Sequence, residues 1–259
     1  MYLENTQRKA IIPDMNRIKV MSWNVLYKEK ADNILSLIKK FDPDILCCQE
    51  ITINSHINSG RDIPQELGNI IGNYTYRQTL PDLYGHPTSM GNAIFSKFPI
   101  VKDRWAFVRR AGSSINILSQ DRIYLEVNLK INNQLLIVGT THLSFIPWFI
   151  ESPARNKEAD RLIQEISSNK NKFILAGDLN STPSSNTIKK LEKRLKSAGP
   201  EHTENSFSTK PFALAGFEVW GLDWRLDYVF TTRDIKVISS KIVKTKYSDH
   251  LPIIAEIEI

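Results

Sequence analysis

"FILAGDLNST", residues 173–182, ends an apolar run on an acid and an amide two positions apart, Asp178 and Asn180. On an extended chain, side chains two apart share a face, so both polar groups leave the strand on one side. Alone, such a pair reads as an Asx turn, which Asp and Asn form readily. The ending recurs, however. The run RIKVMSWNV (17–25) is an apolar strand that reaches Asn24, with Val20, Ser22 and Asn24 on one face. DILCCQE (44–50) reaches Glu50, with Leu46, Cys48 and Glu50 on one face, and Asp249-His250 precedes a last apolar strand, LPIIAEIEI. Several buried strands that each deliver an acid or amide to one edge are how α/β folds assemble a site for a hard cation.

The segments between these strands alternate in period. Ala31, Ile34, Leu35, Ile38 and Phe41 lie at helical spacing before Pro43, which forbids continuation. Extended stretches follow at Asn92–Lys97, Arg104–Arg110, Arg122–Ile131 and Gln134–His142, the last two joined by an Asn132-Asn133 hairpin turn. Ser152-Pro153 is an N-cap and first-turn pair for a helix with Ala159, Leu162, Ile163 and Ile166 on its apolar stripe. After Lys172–Asp178 the pattern predicts a helix near Ile188–Leu195, a polar stretch, and strands at Leu226–Thr231, Ile235–Lys244 and Ile253–Ile259. Hairpins mixed with helical crossovers predict mixed sheets packed on each other with helices outside, about a dozen strands in all, rather than one parallel sheet.

Composition agrees with a folded chain: 41% of the 259 residues are hydrophobic and 24% charged, which excludes disorder. The formal charge of +6 favours polyanionic partners, nucleic acid or anionic lipid. Cys47 and Cys48 are adjacent in an apolar run and read as small buried hydrophobes. With no repeat, low-complexity tract or linker, the expected organisation is an N-terminal extension over 1–16 and a single domain over 17–259. The N-terminal residues lack an apolar signal core, and no segment approaches the roughly 18 to 20 apolar residues of a membrane span. A soluble, cytoplasmic monomer is the simplest expectation.

Glu50, Asp178, Asn180 and Asp249 are oxygen donors, and the chain has neither cysteine clusters nor closely spaced histidine pairs. That chemistry fits Mg²⁺ or Mn²⁺ rather than zinc. His142 in TTHLS and His250 in YSDHLP flank this set, where imidazoles suit proton transfer or phosphate stabilisation.

The series SWN (22–24), PDILCCQE (43–50), GNAIFSK (91–97), THL (141–143), GDLN (177–180), RLDYVF (225–230) and SDH (248–250) resembles, in this order, the endonuclease/exonuclease/phosphatase superfamily of deoxyribonuclease-like, metal-dependent phosphoesterases. The resemblance spans residues 17–259. It implies a four-layer α/β sandwich of two mixed, mainly antiparallel sheets flanked by helices. It also implies Glu50 as the main Mg²⁺ ligand beside Asn24 and Asp249, and Asp178 as the group that orients or deprotonates water. Asn180 would hold that water or the phosphate, and His250, kept in its tautomer by Asp227, would stabilise phosphoryl oxygens. His142 would be a general acid or phosphate donor, as in the deoxyribonuclease-like and phosphatase branches. Apurinic endonucleases usually place a tyrosine there and an acid where this chain has Leu26, although Trp224-Arg225-Leu226-Asp227-Tyr228 resembles their last pocket motif.

Asn92, at a strand start, Arg155, in a helix first turn, and Trp224 are the substrate-binding candidates. The apolar segment SFIPWFIE (144–151) could stack bases or meet lipid. The expected function is therefore Mg²⁺-dependent phosphodiester hydrolysis on DNA or RNA. The alternatives are a phospholipid or sphingomyelin phosphodiesterase, or an inositol phosphate phosphatase. A catalytically inactive binding module would be expected to lose part of the set, and none of it is missing.

Overall fold

The computed structural model describes residues 17–83, 85–112, 118–166 and 171–259; the expected extension over 1–16 lies outside them. In chain order the first elements are β1 (Arg17–Asn24), α1 (Ala31–Phe41), β2 (Ile45–Ser55), β3 (Arg61–Asp62), α2 (Ile63–Ile71), β4 (Asn73–Leu80), β5 (Ser89–Ser96) and β6 (Ile100–Arg109). They continue with β7 (Arg122–Ile131), β8 (Gln134–His142), α3 (Pro153–Ile166), β9 (Lys172–Asp178), α4 (Asn186–Glu192) and β10 (Lys196–Ser197). The last are β11 (Phe212–Leu214), β12 (Phe217–Val219), β13 (Asp227–Thr231), β14 (Lys236–Ile242) and β15 (Ile253–Glu258).

One sheet runs β14-β15-β1-β2-β5-β4, with β3 on β2; the other runs β10-β13-β9-β8-β7-β6; β11 and β12 form a separate hairpin. Strand alternation sorts the apolar side chains into layers. Val20, Ile45 and Cys47 of the first sheet join Leu125, Val138 and Ala176 of the second in a core between the sheets. Met21, Trp23, Leu46 and Cys48 face the other way, under α1 and α2. Leu175 and Tyr228 pack with Leu162 of α3 and Leu191 of α4. The result is the expected four-layer sandwich. Adjacent Cys47 and Cys48, both free, thus point into different layers. Among the described residues no helix is long and apolar enough to cross a membrane.

Most strand pairs are antiparallel; among the described strands β1/β2 and β8/β9 are parallel. Parallel pairing sets the ends of β8 and β9, His142 and Asp178, side by side, and sets Asn24, the end of β1, beside Gln49 of β2, which runs on to Ser55. Antiparallel neighbours bring their beginnings to that edge: Asp227, the first residue of β13, pairs with Asp178, and the Asp249-His250 turn leads into β15.

Asn132 and Asn133 both have positive φ (47° and 63°), as a tight hairpin turn requires, so the expected turn between β7 and β8 forms. Several elements escape the periodicity, the two-residue strands β3 and β10 among them. The helix α2 starts at Asp62, whose side chain accepts the Gln65 N–H, with Pro64 in the first turn; β4 is an edge strand; and the β11–β12 hairpin lies in the stretch that reads only as polar. The expected helix near Ile188–Leu195 starts earlier, because Ser185 caps the Ile188 N–H.

Gly177 of β9 pairs with Thr141 of β8. A Cβ there would stand 2.2 Å from the Thr141 carbonyl oxygen, a backbone atom that can move only with its strand. Gly177→Ala is expected to force the two strands apart and destabilise the fold by about 3 kcal/mol. The midpoint of urea unfolding measures this, and an unchanged midpoint would contradict so close an approach.

Candidate active site

Strict alternation would send Glu50 beneath α1 and α2 with Leu46 and Cys48. The backbone breaks that parity. The register between β2 and β5 shifts between Cys48 and Ile51, so that Gln49 and Glu50 together oppose Asn92, and Glu50 takes φ of 58°. Such a bulge re-aims a side chain. Ile51 takes the helix-side position, Gln49 reaches the other sheet to donate to Thr140 Oγ1 at 2.9 Å, and Glu50 turns to the sheet edge. There Oε1 accepts from Asn24 Nδ2 at 3.2 Å and Oε2 from the Tyr27 N–H at 3.3 Å. The expected shared face of Cys48 and Glu50 is thus corrected.

Asp178 is the centre of the site and is 1% exposed. Its Oδ1 accepts the Asn180 N–H at 2.9 Å, and Oδ2 accepts from Asn24 Nδ2 at 3.1 Å. His142 Nε2 lies 3.3 Å and His250 Nε2 3.6 Å from Oδ2. Burial raises the Asp178 carboxyl to about 7; nearby His250 and the two hydrogen bonds oppose the shift, and Asp227 reinforces it.

The two imidazoles are in opposite states. His142 is driven well below the usual histidine range by burial and by the positive charges of Arg122, His250 and Arg155. A neutral ring accepts the 3.0 Å bond from Asn180 Nδ2 at Nε2 and carries its proton on Nδ1. In this state the ring presents its Nδ1–H as a hydrogen-bond donor. For His250, burial alone would lower the pKa, but Asp227, Asp178 and Asp249 outweigh it and hold the ring protonated. Nδ1–H donates to Asp227 Oδ2 at 2.8 Å, and the ring packs on Phe207 at 4.7 Å. The His250 backbone is fixed as well: its carbonyl accepts from Trp23 Nε1 at 3.0 Å, and Ser248 Oγ donates to the Asn24 carbonyl at 2.7 Å.

Ligand atoms of Asp178, Asp227 and His250 converge within 4.8 Å of one another. A protonated imidazole offers no lone pair to a cation, so in this state His250 is joined to Asp227 by a hydrogen bond and to Asp178 by a 3.6 Å ion pair. The acids facing the pocket fit a hard cation better. Burial and then the like charge of Asp249 raise the Glu50 carboxyl, a pairing that a cation would relieve. Asn24 directs its Nδ2 at Glu50 and Asp178 while its Oδ1 accepts from the Leu26 N–H, so ligation through that oxygen requires the amide to rotate.

Glu50, His142, Asp178, Asn180, Asp249 and His250 line one pocket of about 310 Å³; Asn24 and Asp227 support it without lining it. Phe145, Phe207, Phe212 and Leu214 form an apolar wall, contributed partly by β11. The three expected substrate contacts lie elsewhere. Arg155 is buried behind the site, where it bonds Glu158 and the Ser144 and Leu179 carbonyls. Asn92 is buried at the bulge, its Nδ2 without a hydrogen-bond partner among the described residues. Trp224 packs 4.9 Å from Phe149 in the aromatic cluster that supports the wall. None of the three lines the pocket.

Two site residues escaped the sequence reading. Arg122, first residue of β7, lines the pocket while only 3% exposed, and its Nε has no hydrogen-bond partner among the described residues. Burial pushes its guanidinium down to about 10, still charged at neutral pH. A cation at the start of a strand, at the edge where His142 ends its neighbour, was the available signal. Ser206, in the polar stretch, gave none; its Oγ donates to Asp227 Oδ2 at 2.7 Å.

The sequence profile of the Endonuclease/Exonuclease/phosphatase family matches residues 21–250. A search of curated proteins returns no match. Among solved structures, an endonuclease/exonuclease/phosphatase from Beutenbergia cavernae superposes with a TM-score of 0.76 at 19% identity, over 94% of this chain and 72% of that one. The human Nocturnin catalytic domain, with a bound sulfate anion, gives 0.69 at 21% identity, over 94% and 93%. The mannosyl-6-phosphatase Bt3783 of Bacteroides thetaiotaomicron gives 0.68 at 16%, over 93% and 100%. The profile match runs from the strand that ends on Asn24 to His250 itself, and this chain belongs to the endonuclease/exonuclease/phosphatase family.

Proposed function

We propose that residues 17–259 form one catalytic domain, a metal-dependent phosphoesterase that hydrolyses phosphodiesters by attack of water. The observation that carries the reading is a buried carboxylate poised near neutrality, Asp178, set 3.6 Å from a protonated His250 in a pocket that also holds Glu50 and Asp249. The all-oxygen pair Glu50 and Asp249, with Asn24 if its amide rotates, would hold Mg²⁺ or Mn²⁺. Bound there, the ion would polarise a phosphoryl oxygen and acidify water. Asp178 takes a proton from the attacking water as the new oxygen–phosphorus bond forms, and Asn180 fixes that water or the phosphate. The His250 Nε2–H and the Arg122 guanidinium face the charge that grows on the non-bridging oxygens. Asp227 keeps His250 oriented. The ester bond breaks, its leaving oxygen is protonated from solvent, and Asp178 returns to solvent the proton it took.

Nucleic acid is the substrate class put first. The net charge of +6 supports it, as does an aromatic wall on which a base can stack in the pocket that also holds Arg122 and His250. The pocket is near the lower size limit of small-molecule sites, which suits a single-stranded segment or strand end better than a continuous duplex. A lipid or inositol phosphate is the second reading. It is favoured by the exposed Trp148 (56%), Ile150 (58%) and Trp220 (78%), of which Trp148 packs directly on Phe217 of the aromatic cluster.

With Mg²⁺ present, a panel of single- and double-stranded DNA, RNA, sphingomyelin and phosphoinositides is expected to give turnover on nucleic acid. Chelation should abolish it. Asp178→Ala and His250→Ala should lower kcat by about 10²- to 10⁴-fold while the protein stays folded. Hydrolysis of lipid alone would reverse the substrate order, and undiminished turnover by either variant would sink the mechanism. On nucleic acid, binding should weaken steeply with salt as counterions are released; a flat salt response would argue for a small ester.

The raised carboxyl of Asp178 has a consequence for the metal-free protein. The folded state keeps that proton to about pH 7, whereas the unfolded chain releases it near pH 4. Between those values the folded state binds more protons, so its stability falls as pH rises. Asp178→Asn lacks this decline and should gain stability relative to the parent protein across the same window. Paired unfolding curves at about pH 4 and pH 7 check the sign.

A further inference from the structure

Arg155 and Glu158 stand three residues apart at the start of α3, each 2% exposed. A charge pair removed so completely from water is costly unless further hydrogen bonds satisfy both partners. Here those bonds go to two particular places. Glu158 Oε2 accepts the Ser144 N–H at 3.1 Å and Arg155 Nη1 at 3.1 Å, and Oε1 accepts the Ser144 hydroxyl at 2.5 Å. Arg155 donates through Nη2 to the Ser144 carbonyl and through Nη1 to the Leu179 carbonyl at 3.4 Å. Arg109 Nη1 adds a 2.8 Å bond to Ser144 Oγ and lies 3.7 Å from Glu158 Oε1.

Ser144 is two residues beyond His142, and Leu179 lies between Asp178 and Asn180. The two strand exits are joined to each other on the pocket side. The Leu143 N–H donates to the Asp178 carbonyl at 3.0 Å, and Asn180 Nδ2 donates to the Leu143 carbonyl at 2.9 Å and meets His142 Nε2 at 3.0 Å. Beyond those bonds the chain leaves regular strand geometry, since Asn180 itself has φ of 44°. The Arg155–Glu158 pair reaches both exits from outside the strands.

We propose that Arg155 and Glu158 are positioning residues that clamp the exits of β8 and β9 together from behind. The clamp fixes the His142 ring against the Asn180 amide and sets both beside Asp178. Its catalytic consequence rests on the phosphoesterase reading above; its structural consequence does not. A pair that served stability alone would alter unfolding without moving the His142 and Asn180 side chains in the folded protein.

Glu158→Ala, Glu158→Gln and Arg155→Lys in the full chain separate the two cases. Nitrogen-detected NMR of the His142 ring and the Asn180 side-chain amide is read below the unfolding transition, alongside kcat and KM. Glu158→Ala should shift both signals and lower kcat by about 10- to 100-fold, the scale of an ångström's misplacement, with KM moving by less than about threefold. Glu158→Gln keeps an oxygen for Ser144 N–H and Arg155 and should recover most of the loss. Arg155→Lys keeps the charge but cannot reach both carbonyls, and should give a smaller shift of the same kind. If Glu158→Ala does not fold, Arg155→Lys decides. Parent-like His142 and Asn180 signals in a folded variant would overturn the proposal. A parent protein without turnover on any phosphate ester would defeat the phosphoesterase reading instead, and the NMR signals would still decide the clamp.

Discussion

Asp178 carries its carboxylate into the seam between two sheets, and the surrounding structure answers the penalty of holding charge there. Burial favours the protonated form; the Asn180 N–H, the Asn24 amide and the cationic His250 favour the ionised one. The opposing effects leave the group near neutrality, where a carboxylate can both accept and return a proton. The neighbours hold their orientations through further bonds, so displacing one disturbs several. Ser206 and His250 share Asp227 Oδ2, and Trp23 holds the His250 carbonyl from the first sheet.

Convergence of so many chain segments follows from strand direction. In one sheet the parallel pair β8 and β9 places strand ends side by side, in the other β1 ends beside the bulge of β2, and the antiparallel neighbours β13 and β15 begin where β9 and β1 stop. Polar groups can then occupy the edge without breaking the apolar layers below. The regular ladder also gives way at that edge: Leu26, Glu50, Asn180 and Ser248 all take positive φ. For residues with a Cβ this conformation is costly, and it is tolerated where the surroundings fix it. At Glu50 the departure is what turns the acid into the pocket.

The layers were legible because burial imposes period-two and period-3.6 patterns that survive in the residues themselves. RIKVMSWNV, PDILCCQE and FILAGDLN became β1, β2 and β9, and the Asn132-Asn133 turn became a hairpin. The edge strand β4 was less legible because it is only partly buried, and the β11–β12 hairpin because three-residue strands carry too little pattern. Arg155 was misread for a different reason. A guanidinium in a helix first turn looks available to an anion until the carboxylate of Glu158 and the carbonyls of Ser144 and Leu179 close around it.

By itself, the sequence determined which strands are buried and that Asn24, Asp178, Asn180 and Asp249-His250 lie at or beside their ends, because hydrophobic periodicity is a local property; Glu50, expected to end its strand, lies midway along β2, which continues to Ser55. Only the tertiary structure decided which way each of those groups faces and in what charge state it stands. Direction at Glu50 depends on a bulge formed against β5, and the neutral His142 and protonated His250 differ only in the charges that other segments bring near them. Both depend on contacts between residues far apart in the chain, to which local periodicity is blind.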